Sequence, residues 1–296
     1  MTLPNFFCVG AQKSGTTTLH NILKQHPEIY LPKIKETKFF QNNSLFFKGL
    51  DFYEKEFFGK WKGEKAIGEI DPEYMYFEYV PERIYKCIGE DVKFIFILRN
   101  PVDRAYSHYW MSYRRGYECE SFENAIKLEP ERLKIDEFYK SHFSYIDRGF
   151  YAEQIERFLK FFPKENMFFI IFETEFITNR KNTIISLLKF LGVDSGINID
   201  LNIKSNQASI YRWKSLRDFI YKPNHIKKIG KFFMPNKKFR RRIIRALDKI
   251  NQKKIKPPEL TKTFKKELLD RFFLDEIKKL SKLIEKDLSV WLEING

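Results

Sequence analysis

Asn5-Phe-Phe-Cys-Val9 runs directly into Gly10-Ala-Gln-Lys-Ser-Gly-Thr-Thr17, and that loop leads into Leu19-His-Asn-Ile-Leu23. An apolar run, a glycine-bounded loop and a segment of helical spacing, in that order, form the layout of a phosphate cradle between a strand and a helix. The glycines let backbone N–H groups converge on an anion, and the helix N-terminus adds partial positive charge. In the nucleoside-triphosphate version of such a loop, a lysine directly after the second glycine reaches the β and γ phosphates. Here Thr16 holds that position, and the lysine lies inside the loop as Lys13. The displaced lysine disfavours an ATP or GTP site and favours a phosphate-like ligand of another kind. An ordinary glycine turn is the plainer alternative. Three successive hydroxyls at the helix mouth, Thr16, Thr17 and Thr18, weigh against it.

Two further stretches, Val92-Lys-Phe-Ile-Phe-Ile-Leu98 and Met167-Phe-Phe-Ile-Ile-Phe172, are nearly continuous apolar runs, the pattern of strands buried on both faces of a parallel sheet. Ala66-Ile-Gly-Glu-Ile70 is a shorter third. Helical stretches lie between them at Val80 to Ile88, Pro101 to Arg115, Phe122 to Leu128, Ala152 to Phe161 and Asn182 to Phe190. The alternation predicts an α/β fold of three layers, a P-loop-like arrangement in which a central parallel sheet is flanked by helices joined through right-handed crossovers. Such folds bind ligands at the carboxyl ends of their strands. The first strand ends in the glycine loop and the strand from Val92 ends in Arg99, so both chemistries are expected at one edge. Leu201 to Arg217 reads as a loop crossing the domain. From Thr263 to Leu292, Leu268, Leu269, Phe272, Phe273, Ile277, Leu280, Leu283 and Ile284 mark a long helix or helix pair packing back on the core. Residues 1–296 are expected to form one domain with a basic helical excursion at about 222–258.

The chain is 43% apolar, enough for a sizeable core, and phenylalanine is unusually frequent at 31 residues. No stretch reaches the about 18 uninterrupted apolar residues of a membrane span, and no basic segment followed by an apolar one opens the chain. The expectation is a soluble, cytoplasmic protein. Cys8, Cys87 and Cys119 have no metal-ligand spacing, and their odd number argues against a disulfide framework. The net charge of +15 is concentrated: Lys222 to Lys266 holds 17 Lys or Arg against Asp248 and Glu259. Phe232, Phe233, Phe239, Ile243, Ile244 and Leu247 interleave those charges, which suggests an amphipathic basic helix. It reads either as a solvated face or as a patch for an anionic membrane surface, an acidic polymer or nucleic acid.

A second constellation is Arg99-Asn-Pro-Val-Asp-Arg-Ala-Tyr-Ser107. It sets an arginine at a strand end, proline at the first helical turn, where a missing N–H costs nothing, and Ser107 two turns in. An arginine fork and a hydroxyl suit a second phosphate. Taken alone, Arg99 is equally a surface ion-pair residue; with the first loop it implies a ligand with two separate anionic groups.

These two segments resemble the 5′-phosphosulfate and 3′-phosphate motifs of the sulfotransferases that use 3′-phosphoadenosine 5′-phosphosulfate (PAPS). The resemblance is closest to the heparan sulfate (Golgi carbohydrate) type and its bacterial relatives, and it runs over nearly the whole chain. Lys35-Glu-Thr-Lys-Phe-Phe40, Gly68-Glu-Ile-Asp-Pro-Glu-Tyr74, Arg148-Gly-Phe-Tyr-Ala-Glu-Gln-Ile155 and Asp287-Leu-Ser-Val-Trp291 are similar to family segments in the same order. The resemblance implies sulfuryl transfer from PAPS to a hydroxyl or amine of an acceptor, a glycan or glycolipid, without a metal ion. It assigns Lys13 to the transferring group, and Thr16, Thr17 and the amides of Ser14 and Gly15 to the 5′-phosphate, with Thr18 beside them. Arg99 and Ser107 fall to the 3′-phosphate, and Arg212 or Lys214 to late-loop contacts. It also implies a base, which falls on Glu36; His20, His108 and His142, the last of which reads as lying in a loop, are runners-up, since other branches use histidine. Two departures stand out. Relatives acting on heparan sulfate carry lysine where this chain has Ile70, and they carry a cysteine pair in the late loop, whereas this chain has no cysteine after Cys119. The basic 222–266 segment is expected to hold the protein near acidic glycan or the inner membrane face, with no nucleic acid bound. Two other functions stay open from residues alone: a P-loop nucleotide kinase or NTPase, and a nucleic-acid-binding protein using the basic segment.

Overall fold

The computed structural model describes residues 2–203, 210–221, 243–244, 246–248, 250–253 and 257–293. Most of the basic stretch expected as a helical excursion, Arg240, Arg241 and Arg242 included, lies outside the described residues. Two compact units are present.

The first unit comprises Met1–Arg104, Asp147–Ser205 and Lys262–Gly296. Five parallel strands, β1 (Phe6–Gly10), β2 (Ile29–Tyr30), β3 (Ala66–Ile70), β4 (Lys93–Leu98) and β5 (Met167–Ile171), form its sheet in the order β2-β3-β1-β4-β5. The alternation of aromatic and β-branched residues in β4 explains the sheet's two coats, because successive side chains point to opposite faces. Ile95 and Ile97 join Cys8 and Ile70 in an aliphatic core with Leu19, Ile22 and Leu23 of α1 (Thr16–Leu23) and Ile184, Leu187 and Leu188 of the helix Arg180–Leu191. Phe94 and Phe96 face the other way. Phe94 lies 6.1 Å from Phe7 and 4.5 Å from Phe162, and Phe96 lies 5.2 Å from Phe169 and 5.4 Å from Phe158. Phe7, Phe94, Phe96, Phe158, Phe162 and Phe169 thus make an aromatic coat on one face of the sheet.

Register brings the working ends together. Phe6 pairs with Gly68 of β3 and with Lys93 of β4, so the carboxyl ends of β3, β1 and β4 lie side by side with β1 between. Gly68 permits this approach, since a Cβ there would fall 2.0 Å from the Phe6 ring. The expected helices Val80–Ile88 and Pro101–Arg115 form as read; the others differ from the expected bounds at their ends. The C-terminal pair is Lys262–Leu268 and Leu274–Ile284, joined by a π-turn at Leu269–Phe273, and Phe273, Ile277, Leu280, Ile284 and Trp291 are buried.

The second unit comprises Ala105–Ile146 and Asn206–Thr261. It contains most of the helix Pro101–Arg115, the helices Phe122–Arg132 and Glu137–Phe143, and a two-stranded antiparallel ribbon of Ile210–Tyr211 with Gln252–Lys253. Glu118, 1% exposed, ties it together by accepting from Arg132 Nη1 at 2.6 Å and Tyr145 Oη at 2.9 Å. The loop expected from Leu201 to Arg217 is interrupted: the ribbon strand lies within it, and a helix begins at Lys214 and runs to Tyr221. That helix buries Arg217, whose guanidinium lies over the Tyr211 ring at 4.3 Å and pairs with Asp218.

Candidate active site at the strand ends

The glycine loop leaves β1 through two residues in the left-handed region, Lys13 at φ 74° and Gly15 at φ 87°. Alternation of this kind makes successive backbone N–H groups converge, which suits an anion. Gly15 then serves as N-cap of α1, and that helix has neither a side-chain cap nor an acidic residue in its first turn. An unfilled helix start is a ready partner for an external anion. Among the described residues the amides of Gly15 and Thr16 donate to no group, and the Ser14 hydroxyl, fully buried, has no hydrogen-bond partner. Thr16 and Thr18 are buried and Thr17 is half-buried in the same first turn. The glycines leave no spare room: a Cβ on Gly15 would fall 2.8 Å from Phe176, and one on Gly10 would fall 2.5 Å from the Met75 sulfur. A buried hydroxyl in want of a partner, unpaired amides and a nearby lysine fit the phosphosulfate group of PAPS.

Arg99, at the end of β4, joins this loop directly. Its Nη1 donates to the Lys13 carbonyl at 3.0 Å, and its guanidinium lies 5.0 Å from the Phe172 ring. The next residue fixes it from behind. Asn100 Oδ1 accepts from Val102 N and Asp103 N, capping the following helix, while Asn100 Nδ2 donates to the Trp291 carbonyl at 2.9 Å. Glu173 bridges the two by accepting from Asn100 N at 2.9 Å and Trp291 Nε1 at 2.8 Å. Ser107 stands half-buried on the same helix within the second unit, and Arg212 is exposed in that unit beside the ribbon, its amide donating to Asn251 O at 2.7 Å. Lys214 is exposed there as well.

Glu36 arrives at the neighbouring strand end. Its amide donates to Ile70 O at 3.2 Å, Thr37 donates from both N and Oγ1 to Glu69, and Lys38 N donates to Asp71 Oδ2 at 3.0 Å. Three consecutive residues of the turn are therefore tied to three consecutive residues at the end of β3. The turn is strained, with Glu36 at φ 63° and Lys38 at φ 62°. Non-glycine residues hold such angles only where their surroundings impose them, and they concentrate at functional sites. Glu69 is buried among four donors, since Tyr53 and Tyr74 hydroxyls join the two from Thr37; burial nevertheless pushes its carboxyl above the usual range. Glu36 is half-exposed and paired with the Lys35 ammonium.

Of the histidines, His20 is buried on α1, and burial lowers its pKa. His108 is buried in the second unit with its ring 5.2 Å from Tyr145. His142, expected in a loop, is instead helical: Asp136 caps Glu137–Phe143 by accepting from Tyr139 N, and the His142 ring lies 4.5 Å from Phe138.

Sequence reasoning assigned no role to the polar tether behind the loop. Gln12 Nε2 donates to Glu73 Oε1, and Glu73 Oε2 pairs with Arg148 Nη2 at 2.8 Å, both side chains almost wholly buried. The signal was present, since Glu73 and Arg148 stand in two of the segments similar to family sequences. Among the described residues no group of three His, Cys, Asp or Glu side chains could hold a metal ion, and no helix is long and apolar enough to cross a membrane.

A sulfotransferase domain signature matches residues 3–258. The mouse heparan sulfate glucosamine 3-O-sulfotransferase 5 is 30% identical over 195 residues, 64% of this chain and 54% of that protein. The human bifunctional heparan sulfate N-deacetylase/N-sulfotransferase 3 is 32% identical over 202 residues, 64% of this chain and 22% of its own length. The chain thus spans about half, or less, of the curated relatives it matches. A crystal structure of a sulfotransferase from Alicyclobacillus acidocaldarius superposes with a TM-score of 0.70 at 27% identity, covering 99% of this chain and 100% of that one.

Proposed function

The chain belongs to the sulfotransferase family, and from that premise we propose that it transfers the sulfuryl group of PAPS to a hydroxyl or amine of a glycan or glycolipid. The observation that carries this is the meeting of three strand ends. An uncapped anion loop on β1 is bonded to Arg99 of β4, and a strained carboxylate turn sits on the end of β3. Relatives named for 3-O- and N-sulfation of heparan sulfate favour a glycan acceptor bearing either nucleophile.

PAPS when bound supplies an activated sulfuryl group, and transfer of such a group is helped mainly by positioning and charge stabilisation. Lys13 neutralises charge on the transferred group and on the oxygen it leaves. The amides of Gly15 and Thr16, with the hydroxyls of Ser14, Thr16, Thr17 and Thr18, hold the 5′-phosphate; the Ser14 amide, expected to join them, donates instead to Ala11 O at 3.2 Å. Arg99 and Ser107 hold the 3′-phosphate, and Arg212 contributes from the late segment. Glu36 takes the proton that the acceptor sheds as it attacks, and its half-exposed position leaves the carboxylate reachable from solvent. The basic 222–266 segment draws the enzyme to acidic glycan or to an anionic membrane surface, and no metal or nucleic acid takes part.

Calorimetry with adenosine 3′,5′-bisphosphate against magnesium-ATP, followed by labelled PAPS with polysaccharides, glycolipids, phenols and alcohols, tests this. Tight binding of the bisphosphate and label transfer to one acceptor class are expected, with both Lys13→Ala and Glu36→Gln abolishing transfer. Magnesium-dependent ATP hydrolysis needing Lys13, or salt-sensitive nucleic-acid binding without affinity for the bisphosphate, would overturn it.

A further inference from the structure

Asp71 is a carboxylate at the strand ends to which neither the loop chemistry nor the base assigns a role. It is fully buried, its amide donates to Cys8 O at 3.0 Å, its Oδ1 accepts from Glu73 N at 3.1 Å and its Oδ2 accepts from Lys38 N at 3.0 Å. It thereby links β1, the end of β3 and the turn that carries Glu36. Lys38 needs such an anchor, because its left-handed backbone at φ 62° is one that the surroundings must impose. We propose that Asp71 is a positioning residue for Glu36, anchoring the strained 36–38 turn to the end of β3. The proposal rests on Glu36 being the base.

Glu36 faces Asp71 from the turn, Glu69 and Glu73 from its own segment, and Cys8 from β1; Lys35 is paired with Glu36, and Arg148 with Glu73. Burial first, then the carboxylates of Glu36, Glu69 and Glu73, holds the Asp71 carboxyl well above the usual range. Both Asp71 oxygens accept main-chain N–H groups, one from Glu73 and one from Lys38, so loss of these acceptors unties the turn from β3 and Glu36 loses its place.

Two readouts test this, one of which needs no acceptor. In carbon-13 carboxyl NMR of the whole protein, with Glu36→Gln used to assign the signal, Asp71→Ala should shift or broaden the Glu36 signal. With labelled PAPS and an acceptor identified by the transfer assay, Asp71→Ala, which loses the anchor, should lower kcat about tenfold or more while leaving bisphosphate affinity unchanged, and Asp71→Asn, which keeps one of the two acceptor oxygens, should recover part of that loss. A Glu36 signal unchanged in Asp71→Ala, or a wild-type kcat in that variant, overturns the proposal. Full turnover in Glu36→Gln would instead overturn the base assignment, and the NMR result would still decide whether Asp71 holds the turn.

Discussion

Replacing Gly15 with alanine should damage the anion loop by an amount that can be worked out in two parts. The first is conformational: at φ 87°, an L-residue costs about 1 to 2 kcal/mol. The second is steric, because the new Cβ would stand 2.8 Å from Phe176 Cε1 and 3.0 Å from Phe172 Cε2. Phe176 is 1% exposed and cannot swing aside, so overpacking adds about 1 to 3 kcal/mol. Gly49 provides the control. It sits at φ 80° with nothing within 4 Å of a built Cβ, so Gly49→Ala isolates the conformational part. Urea unfolding with and without saturating adenosine 3′,5′-bisphosphate, beside calorimetric titration, measures both variants. Gly15→Ala should lose about 2 to 5 kcal/mol, divided between stability and bisphosphate affinity, whereas Gly49→Ala should lose about 1 to 2 kcal/mol of stability and no affinity. Equal losses in the two variants, or bisphosphate affinity unaltered in a Gly15→Ala protein of normal stability, would refute the steric reasoning and the placement of the anion at this loop.

Other consequences are open to measurement. Arg148→Ala strands the buried Glu73 carboxylate and should cost about 3 to 5 kcal/mol in urea unfolding. Asn100→Ala removes a helix cap and the donor to Trp291 O, a loss of about 2 to 4 kcal/mol by the same assay. Arg99→Ala should weaken bisphosphate binding at least about tenfold, as judged by calorimetry, more than it slows transfer. Burial depresses His20, so the unfolded chain takes up its proton first and the stability this residue contributes is lost as pH falls below its ordinary value. A His20→Asn protein should show a smaller decline in urea midpoint between about pH 7 and pH 5.

The sheet was legible because buried parallel strands write themselves as apolar runs, and Val92 to Leu98 and Met167 to Phe172 have no competing period. β2 was not, since two residues, Ile29 and Tyr30, carry no pattern at all. Lys13 and Arg99 could be read from local context, each beside the strand end that places it. Glu36 could not: its position depends on Ile70 O, Glu69 and Asp71, more than thirty residues away, and a turn with two positive φ angles and no glycine leaves no local signal. The resemblance alone named it. His142 was misplaced for a related reason, because a seven-residue helix with a polar face is short enough to be taken for a loop.

The Asn100–Glu173–Trp291 clasp bears on how the enzyme comes into being. Trp291 has no exposed surface, and its main-chain oxygen and indole nitrogen hold the residue next to Arg99. During synthesis the glycine loop emerges well before Trp291, so Arg99 lacks its support until the segment around Trp291 has been made and has docked. A nascent chain that has not yet reached Trp291 could form most of the sheet and still be unable to grip the donor.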